Sequence, residues 1–337
     1  MKNVIEVNSV SKKFVTNKKY PGLKGAIKGL FSREKEEKTA VSDVTFSIKE
    51  GEIVGYIGSN GAGKSTTIKM MTGILIPTEG EIKVNGVDPG RNRKENAANI
   101  GVVFGQRTQL WWHLPLSESF TILKEIYDVS DEDYEKQMEF LNRVLGLQEF
   151  FDKAVRTLSL GQRMRADLGA ALLHNPKVLY LDEPTIGLDL VVKDNIRKAI
   201  KEINEKYKTT VVLTTHDLAD IETLSKRIVM IDKGNKVFDG KITDLKEKYG
   251  QMRELAFVST SENSLDILGY AEKFGLQGDD LSAECDGLNC KVRFNSAIVP
   301  VSDMLSYTLS KINVKDINVK DADIEEIIRR LYKEGVK

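Results

Sequence analysis

Tryptophan, cysteine and histidine are scarce in this 337-residue chain, which holds two, two and three of them. The cysteines, Cys285 and Cys290, lie close together with no matching pair elsewhere. A single C-x4-C spacing does not by itself make a zinc site. Reduced, incidental thiols are expected, which fits a cytosolic chain. No apolar run approaches the length of a membrane-spanning helix, so the chain is not expected to cross a bilayer alone. The start, Met1-Lys2-Asn3-Val4-Ile5-Glu6, carries an early acid and no apolar core, and it is not expected to be a signal peptide. Fifty Lys and Arg balance fifty Asp and Glu, which gives no reason to expect a nucleic-acid partner. Internal repeats and low-complexity tracts are absent. The length predicts two or three domains with ample core.

What the chain does have is Gly58-Ser59-Asn60-Gly61-Ala62-Gly63-Lys64-Ser65-Thr66, a match to the phosphate-binding loop G-x-x-x-x-G-K-[ST]. Ile53–Ile57 before it reads as a short buried strand, and Thr67–Met71 after it as the start of a helix. Glycines let backbone N–H groups turn inward around phosphate without Cβ clashes. The following helix N-terminus adds a favourable dipole. In this motif Lys64 reaches the β- and γ-phosphates and the Ser65 hydroxyl ligates Mg²⁺. The loop alone points to a nucleoside triphosphate, not to the use made of it.

Taken in order, Val4–Val7 reads as an edge strand, followed by a loop ending at Phe14. Residues 16–38 are lysine-rich, with no acid between Lys12 and Arg33. Leu23, Ile27, Leu30 and Phe31 recur there at helical spacing, which predicts a short basic amphipathic helix. Val41–Ile48, Glu81–Val84, Ile100–Phe104, Val178–Asp182 and Thr210–Thr215 read as strands. Residues 117–174 read as mostly helical, and a helix is predicted over Val191–Tyr207. Strands alternating with helices imply an α/β fold with a parallel sheet covered on both faces. Ile228–Phe238 reads as a closing hairpin. From about 241 the texture changes. Strands at 255–258, 290–294 and 314–319, with helices at 262–274, 299–312 and 322–333, predict a small α+β domain of roughly ferredoxin-like type over 241–337.

Leu179-Tyr180-Leu181-Asp182-Glu183 closes a strand with two acids. Beside a phosphate loop, an acid at this position holds Mg²⁺, and Glu183 would face the γ-phosphate and polarise the attacking water. At this point the chain resembles the ATP-binding cassette (ABC) ATPases. Leu158-Ser159-Leu160-Gly161-Gln162 looks like their signature motif, Gln106 their Q-loop, Gly187-Leu188-Asp189 their D-loop and His216 their switch histidine. The resemblance covers residues 4–240 and includes every family motif in order.

It implies a phosphate-loop (RecA-like) core with antiparallel β and helical subdomains over 1–240. It also implies ATP and Mg²⁺ as cofactors, and Glu183, His216 and Gln106 as catalytic residues. By the same resemblance Phe14 stacks on adenine, and Gly58, Asn60, Gly61, Ala62, Gly63, Lys64, Ser65 and Thr66 bind nucleotide. Ser65, Gln106 and Asp182 serve the metal. Ser159, Gly161 and Gln162, together with the D-loop residue Asp189, face the ATP of an opposite subunit. Two cassettes would sandwich two ATP molecules head to tail, in an expected homodimer. Leu160 departs from the family's usual second glycine.

The Asp321–Ile328 tail looks like the terminal piece of ABC-2-type ATPases, which are mostly exporters. Val103–Pro115, with Trp111-Trp112 and His113, resembles a subgroup that works with two separately encoded permeases and commonly has Asp where His113 stands. One of the two adjacent rings is expected to pack inward and the other to line the groove that receives the permease. The resemblance therefore implies a peripheral ATPase subunit on the cytoplasmic face of the cell membrane, partnered by integral permeases. The competing class is a soluble, non-transport ABC ATPase. The 16–38 stretch yields a prediction of its own. Basic side chains near anionic lipid contribute on the order of 1 kcal/mol each, so full-length protein should cosediment with anionic liposomes more than a variant lacking residues 16–38. Equal pelleting would leave a helix packed on the cassette.

Overall fold

The computed structural model describes residues 2–17, 35–105, 107–261, 267–321 and 324–334. It divides into two compact units, Met1–Gly240 and Lys241–Lys337. The first begins with β1 (Asn3–Asn17), β2 (Lys35–Lys49) and β3 (Ile53–Gly58), then α1 (Lys64–Met71), β4 (Glu79–Val84), α2 (Arg93–Asn99) and β5 (Ile100–Phe104). The helical segment follows as α3 (Leu116–Ile126), α4 (Asp131–Leu145) and α5 (Leu160–Leu172). The unit closes with β6 (Val178–Asp182), α6 (Leu190–Tyr207), β7 (Thr210–Thr214), α7 (Leu218–Leu224), β8 (Arg227–Asp232) and β9 (Asn235–Lys241).

Six strands form one sheet in the order β5-β6-β7-β3-β8-β9. The β5/β6, β6/β7, β7/β3 and β3/β8 pairs are parallel. Their residues are apolar on both faces: Val54–Gly58 and Thr210–Thr214 are buried throughout. That is the pattern of strands covered by helices on either side. A second sheet, β2-β1-β4, is antiparallel and turns Ile5, Val7, Val44, Ile48 and Ile82 into the same core as Tyr56, Ile68, Met70 and Tyr180. Local signals set the helix ends. Ser130 caps α4 by accepting from the Asp133 amide, three acids occupy the first turn, and Gly146 stops the helix in the left-handed region.

Three expectations change. The first strand is longer than predicted and is central in its sheet, because β2 and β4 pair with its two edges. Phe14 lies within that strand, opposite Lys38, not in a loop. The ends of the predicted 16–38 helix are strand too: Thr16 pairs with Glu36 and Asn17 with Lys35. Lys13 lies 3.8 Å from Glu37 and 3.2 Å from Glu79, so the mixed charges read as a run in the sequence meet across strands. Leu23, Ile27, Leu30 and Phe31 lie outside the described residues. The third change concerns Cys285 and Cys290, which are joined as a disulfide and not reduced. They sit directly opposite each other across one hairpin, with Cα atoms 4.1 Å apart, close enough for a bridge.

That hairpin belongs to the second unit, which runs α8 (Ile242–Tyr249), β10 (Met252–Ser259), α9 (Ile267–Phe274), β11 (Leu281–Asp286), β12 (Asn289–Asn295), α10 (Val301–Lys311), β13 (Val314–Lys320) and α11 (Ile324–Glu334). Its antiparallel sheet has the order β11-β12-β10-β13, the ferredoxin-like arrangement. Leu255, Phe257, Val292, Phe294, Tyr270 and Met304 form its core. The strand β11 was not predicted: Leu281-Ser282-Ala283-Glu284-Cys285-Asp286 is a mostly exposed edge strand whose period-two pattern rests on Leu281 and the small side chains of Ala283 and Cys285.

One joint of the first unit is sensitive to pH. His174, just after α5, stacks on Tyr127 at 3.8 Å with parallel rings, and its Nε2–H donates to the Ile100 carbonyl at 3.0 Å. Burial pulls this imidazole down to about 4. The folded chain thus excludes a proton that the unfolded chain accepts near pH 6.5. The contribution of His174 to stability is complete above about pH 6.5 and is lost as pH drops toward 4, by up to about 3 kcal/mol. Denaturant unfolding at about pH 7 and about pH 5 should show this loss, and His174→Gln should reduce the difference.

Candidate functional site

The phosphate loop joins β3 to α1. Its glycines serve two purposes. Gly63 has φ +108°, and a Cβ there would stand 2.6 Å from the Ala40 carbonyl oxygen. At Gly58 a Cβ would meet the Ile231 carbonyl oxygen at 2.5 Å. Both are required by the packing beneath the loop. Gly61, at φ +79°, has nothing within 4 Å of its Cβ position and is the one with open space above it. Asn60 is exposed and Ala62 is buried, the Ala62 amide donating to the Ser59 carbonyl at 3.0 Å.

Lys64 is buried, and its ammonium donates to the Gly58 carbonyl at 2.6 Å and to the Ser59 carbonyl at 3.3 Å. Burial pulls its pKa below the ordinary lysine value, while Glu183 and Asp182 push it back up. The cation is thus held against the loop, beside two acids. At the end of β6, Asp182 accepts from the Thr214 hydroxyl at 2.5 Å through one carboxylate oxygen. The other oxygen lies 3.5 Å from the Ser65 hydroxyl. An alcohol and a carboxylate are hard oxygen donors, and Mg²⁺ takes one or two such groups together with phosphate and water. The residues fit that ion.

Glu183 sits in the left-handed region at φ +58°, unusual for a non-glycine residue. Its amide donates to the Thr214 carbonyl at 2.9 Å, and its carboxylate meets His216 Nε2 at 2.9 Å. Backbone strain of this kind persists where the surroundings over-determine it, and it clusters at sites of chemistry. Phe14, Ser65, Thr66, Asp182 and Glu183 line one cavity of about 710 Å³, together with Lys69, Ile74, Leu75, Phe104 and Arg107. The predicted aromatic and the predicted phosphate and metal ligands therefore share a cavity. Gln106 lies outside the described residues.

The remaining predicted residues meet one another. Ser159 caps α5 by accepting from the Gln162 amide at 3.2 Å, and the Gln162 side chain accepts from the Ser159 amide at 3.0 Å, a reciprocal capping box. Asp189 caps α6, accepting from the Val192 amide at 3.0 Å. The Gly161 Cβ position is 3.0 Å from Val192, so this glycine also answers a packing demand. Leu160, which replaces the usual glycine, lies 3.2 Å from the Gly187 Cβ position and joins signature to D-loop.

Residues that belong to no sequence motif support the site. Thr214 holds Asp182. Asp220, fully buried on α7, accepts from Thr185, from Thr215 at 3.0 Å and from Arg197 at 2.7 Å. It thereby ties the segment after Glu183 to the one before His216. Its signal was only an acid four residues after a histidine. The tryptophans differ from expectation as well. Trp111 is 38% exposed and Trp112 is 43% exposed, so neither is core. They lie in a turn, where the strict in–out alternation of a helix or strand does not apply. Trp112 lies under the Arg163 guanidinium at 5.6 Å, and Arg156 donates to His113 Nδ1 at 3.4 Å.

A strand–loop–helix phosphate loop, a carboxylate–hydroxyl pair that fits Mg²⁺ and a strained glutamate on a histidine are the parts of a nucleotide-hydrolysing cassette. Known proteins agree. The family described as ABC transporter matches residues 41–186. The ABC transporter ATP-binding protein NatA of Bacillus subtilis is 30% identical over 217 residues, 64% of this chain and 88% of that protein. The linearmycin resistance ATP-binding protein LnrL of the same organism is 35% identical over 214 residues, 64% and 68% of the two chains. A methionine import ATP-binding protein, MetN of Halalkalibacterium halodurans, is 35% identical over 226 residues, 66% and 67% of the two chains. Among solved structures, the cassette MJ0796, a dimer in a post-hydrolysis state bound to ADP and phosphate, superposes with a TM-score of 0.57 at 28% identity. The match covers 71% of this chain and 98% of that one. The chain belongs to the ABC transporter ATP-binding proteins, and it is an ATPase that uses ATP with Mg²⁺.

Two substitutions separate binding from chemistry. Lys64→Ala should weaken ATP binding by about tenfold or more, since it removes a buried charge-assisted donor. Glu183→Gln should leave affinity nearly intact and lower kcat by about 10²–10⁴-fold, the worth of a positioned base. Nucleotide titration and phosphate release measure both, and normal turnover by Glu183→Gln would remove this residue from the reaction.

Proposed function

We propose that this chain is the ATP-hydrolysing subunit of an ABC-2-type exporter. Two copies close head to tail around two Mg-ATP and drive two separately encoded permeases from the cytoplasmic face of the membrane. Asp182 and Ser65 would hold Mg²⁺, which would supply charge neutralisation at the phosphates. Lys64 binds the β- and γ-phosphates. Glu183 orients and polarises water, and the His216 Nε2 that meets its carboxylate at 2.9 Å would turn to the γ-phosphate when nucleotide binds. By resemblance to the family, Gln106 would serve the metal and the attacking water, and Phe14 would stack on the base. Ser159, Gly161 and Gln162, with Asp189, act on the ATP held by the other copy. The dimeric cassette supports the sandwich, and the relative named for linearmycin resistance supports export. No helix among the described residues is long and apolar enough to cross a membrane, which agrees with a peripheral subunit.

The observation that carries the transport reading is the pair of half-exposed tryptophans beside the helical segment. Tryptophan is enriched at interface hot spots because it buries a large apolar area and keeps one N–H donor. The chain purified from detergent-solubilised membranes should carry integral membrane proteins with it, identified by mass spectrometry. Trp111→Ala or Trp112→Ala should weaken that assembly about 30-fold, near 2 kcal/mol, while ATP turnover of the isolated chain stays within about twofold. Assembly unaffected by either substitution would remove the tryptophans from docking. A chain that copurifies with no membrane protein would be the soluble, non-transport ATPase.

A further inference from the structure

Asp167 is a buried carboxylate that no step above uses. It lies on α5, eight residues beyond Ser159, and only 5% of it is exposed. Its neighbours Ala166, Leu168, Ala170 and Ala171 are apolar and buried, so packing alone would favour another small apolar residue here. The carboxylate instead gathers the segment that leads to the tryptophans. One oxygen, Oδ1, accepts from the Thr108 hydroxyl at 2.8 Å and from the Gln109 amide at 3.1 Å. The Gln109 side chain donates back to the Asp167 carbonyl at 3.1 Å. The Leu110 amide donates to the Thr108 hydroxyl at 3.1 Å, which closes the network. One turn nearer the signature, Arg163 lies over Trp112. Burial pushes the Asp167 carboxyl up to about 6, against the pull of Thr108, Gln109 and Arg163, so it is charged at neutral pH.

The geometry of α5 gives this network leverage. The far end of the helix rests on β5: a Cβ at Gly101 would stand 2.2 Å from the Ala171 carbonyl oxygen, and His174 bonds Ile100. At 1.5 Å per residue, Asp167 is about 6 Å from that contact and Ser159 about 18 Å from it. A displacement of 1 Å at Asp167 therefore becomes about 3 Å at the signature, enough to break a hydrogen bond there.

We propose that Asp167 is the positioning residue that latches α5 to the Thr108–Leu110 segment and so sets where the signature end of the helix stands. Asp167 does not line the cavity shared by Phe14, Ser65, Asp182 and Glu183. This rests on the reading that the signature of one copy completes the site of the other.

The test uses the full chain carrying Glu183→Gln, which holds ATP without turnover, and reads its ATP-dependent dimerisation by sedimentation across protein concentration. Adding Asp167→Ala should weaken the dimer about tenfold or more, the loss expected from a charge-assisted bond, while ATP affinity of the monomer stays within about twofold. Asp167→Asn keeps an acceptor oxygen at the same place and should restore most of the dimer. Thr108→Val, which keeps shape and loses the hydroxyl, should weaken it in the same direction. If Asp167→Ala fails to fold, Thr108→Val decides the matter. Unchanged dimerisation in the variants, or a parallel loss of monomer ATP affinity, would overturn the latch while leaving the sandwich intact. Absence of an ATP-dependent dimer in Glu183→Gln itself would overturn the sandwich, and the latch with it.

Discussion

Thr214 fixes the end of β6, and the site depends on that. Its hydroxyl holds one oxygen of Asp182, and its carbonyl accepts the Glu183 amide. With one oxygen engaged, Asp182 turns the other toward Ser65. With its amide engaged, Glu183 is held at a positive φ and its carboxylate reaches His216. A strained backbone at a charged residue survives only when the contacts around it leave no cheaper arrangement. Here they come from β7 and from Gly105, whose Cβ position is 2.4 Å from the Glu183 carbonyl oxygen.

The same economy appears under the phosphate loop. Gly58 and Gly63 are glycines because carbonyl oxygens of Ile231 and Ala40 occupy the space a side chain would need. The loop is therefore braced from below by β8 and β2, and only Gly61 presents open space. Lys64 is hydrogen-bonded to the carbonyls of the loop itself. The entropy of placing that long side chain is spent on folding, which leaves less to lose on binding.

The signature end is built differently. Its residues satisfy one another, Ser159 with Gln162 and Leu160 against Gly187, and it faces outward with Leu190 and Val191 81% and 71% exposed. Exposed leucine and valine on a helix start are costly as free surface and suit an interface.

Local pattern in the sequence was enough for the strand–loop–helix around Lys64, for the acids closing β6, for the parallel-sheet class and for the helices from Leu116 to Leu172. Each is set by residues within a few positions of one another: glycine spacing, a capping Ser or Asp, an apolar run of five. Other features depended on distant partners. The length of β1 was decided by β2 and β4, and the edge position of β11 by its pairing with β12. The Cys285–Cys290 bridge followed from the register of that pairing, and both tryptophans stayed exposed because they occupy a turn. Asp167 had no sequence signal beyond being an acid in an apolar helix. Its meaning came from Thr108 and Gln109, which are nearly sixty residues away along the chain and in hydrogen-bond contact in the fold. The sequence by itself determined the chemistry and the local turns that present it. Only the tertiary structure decided which distant backbone and side-chain groups brace that chemistry, because those contacts are set by strand register and helix packing and not by spacing along the chain.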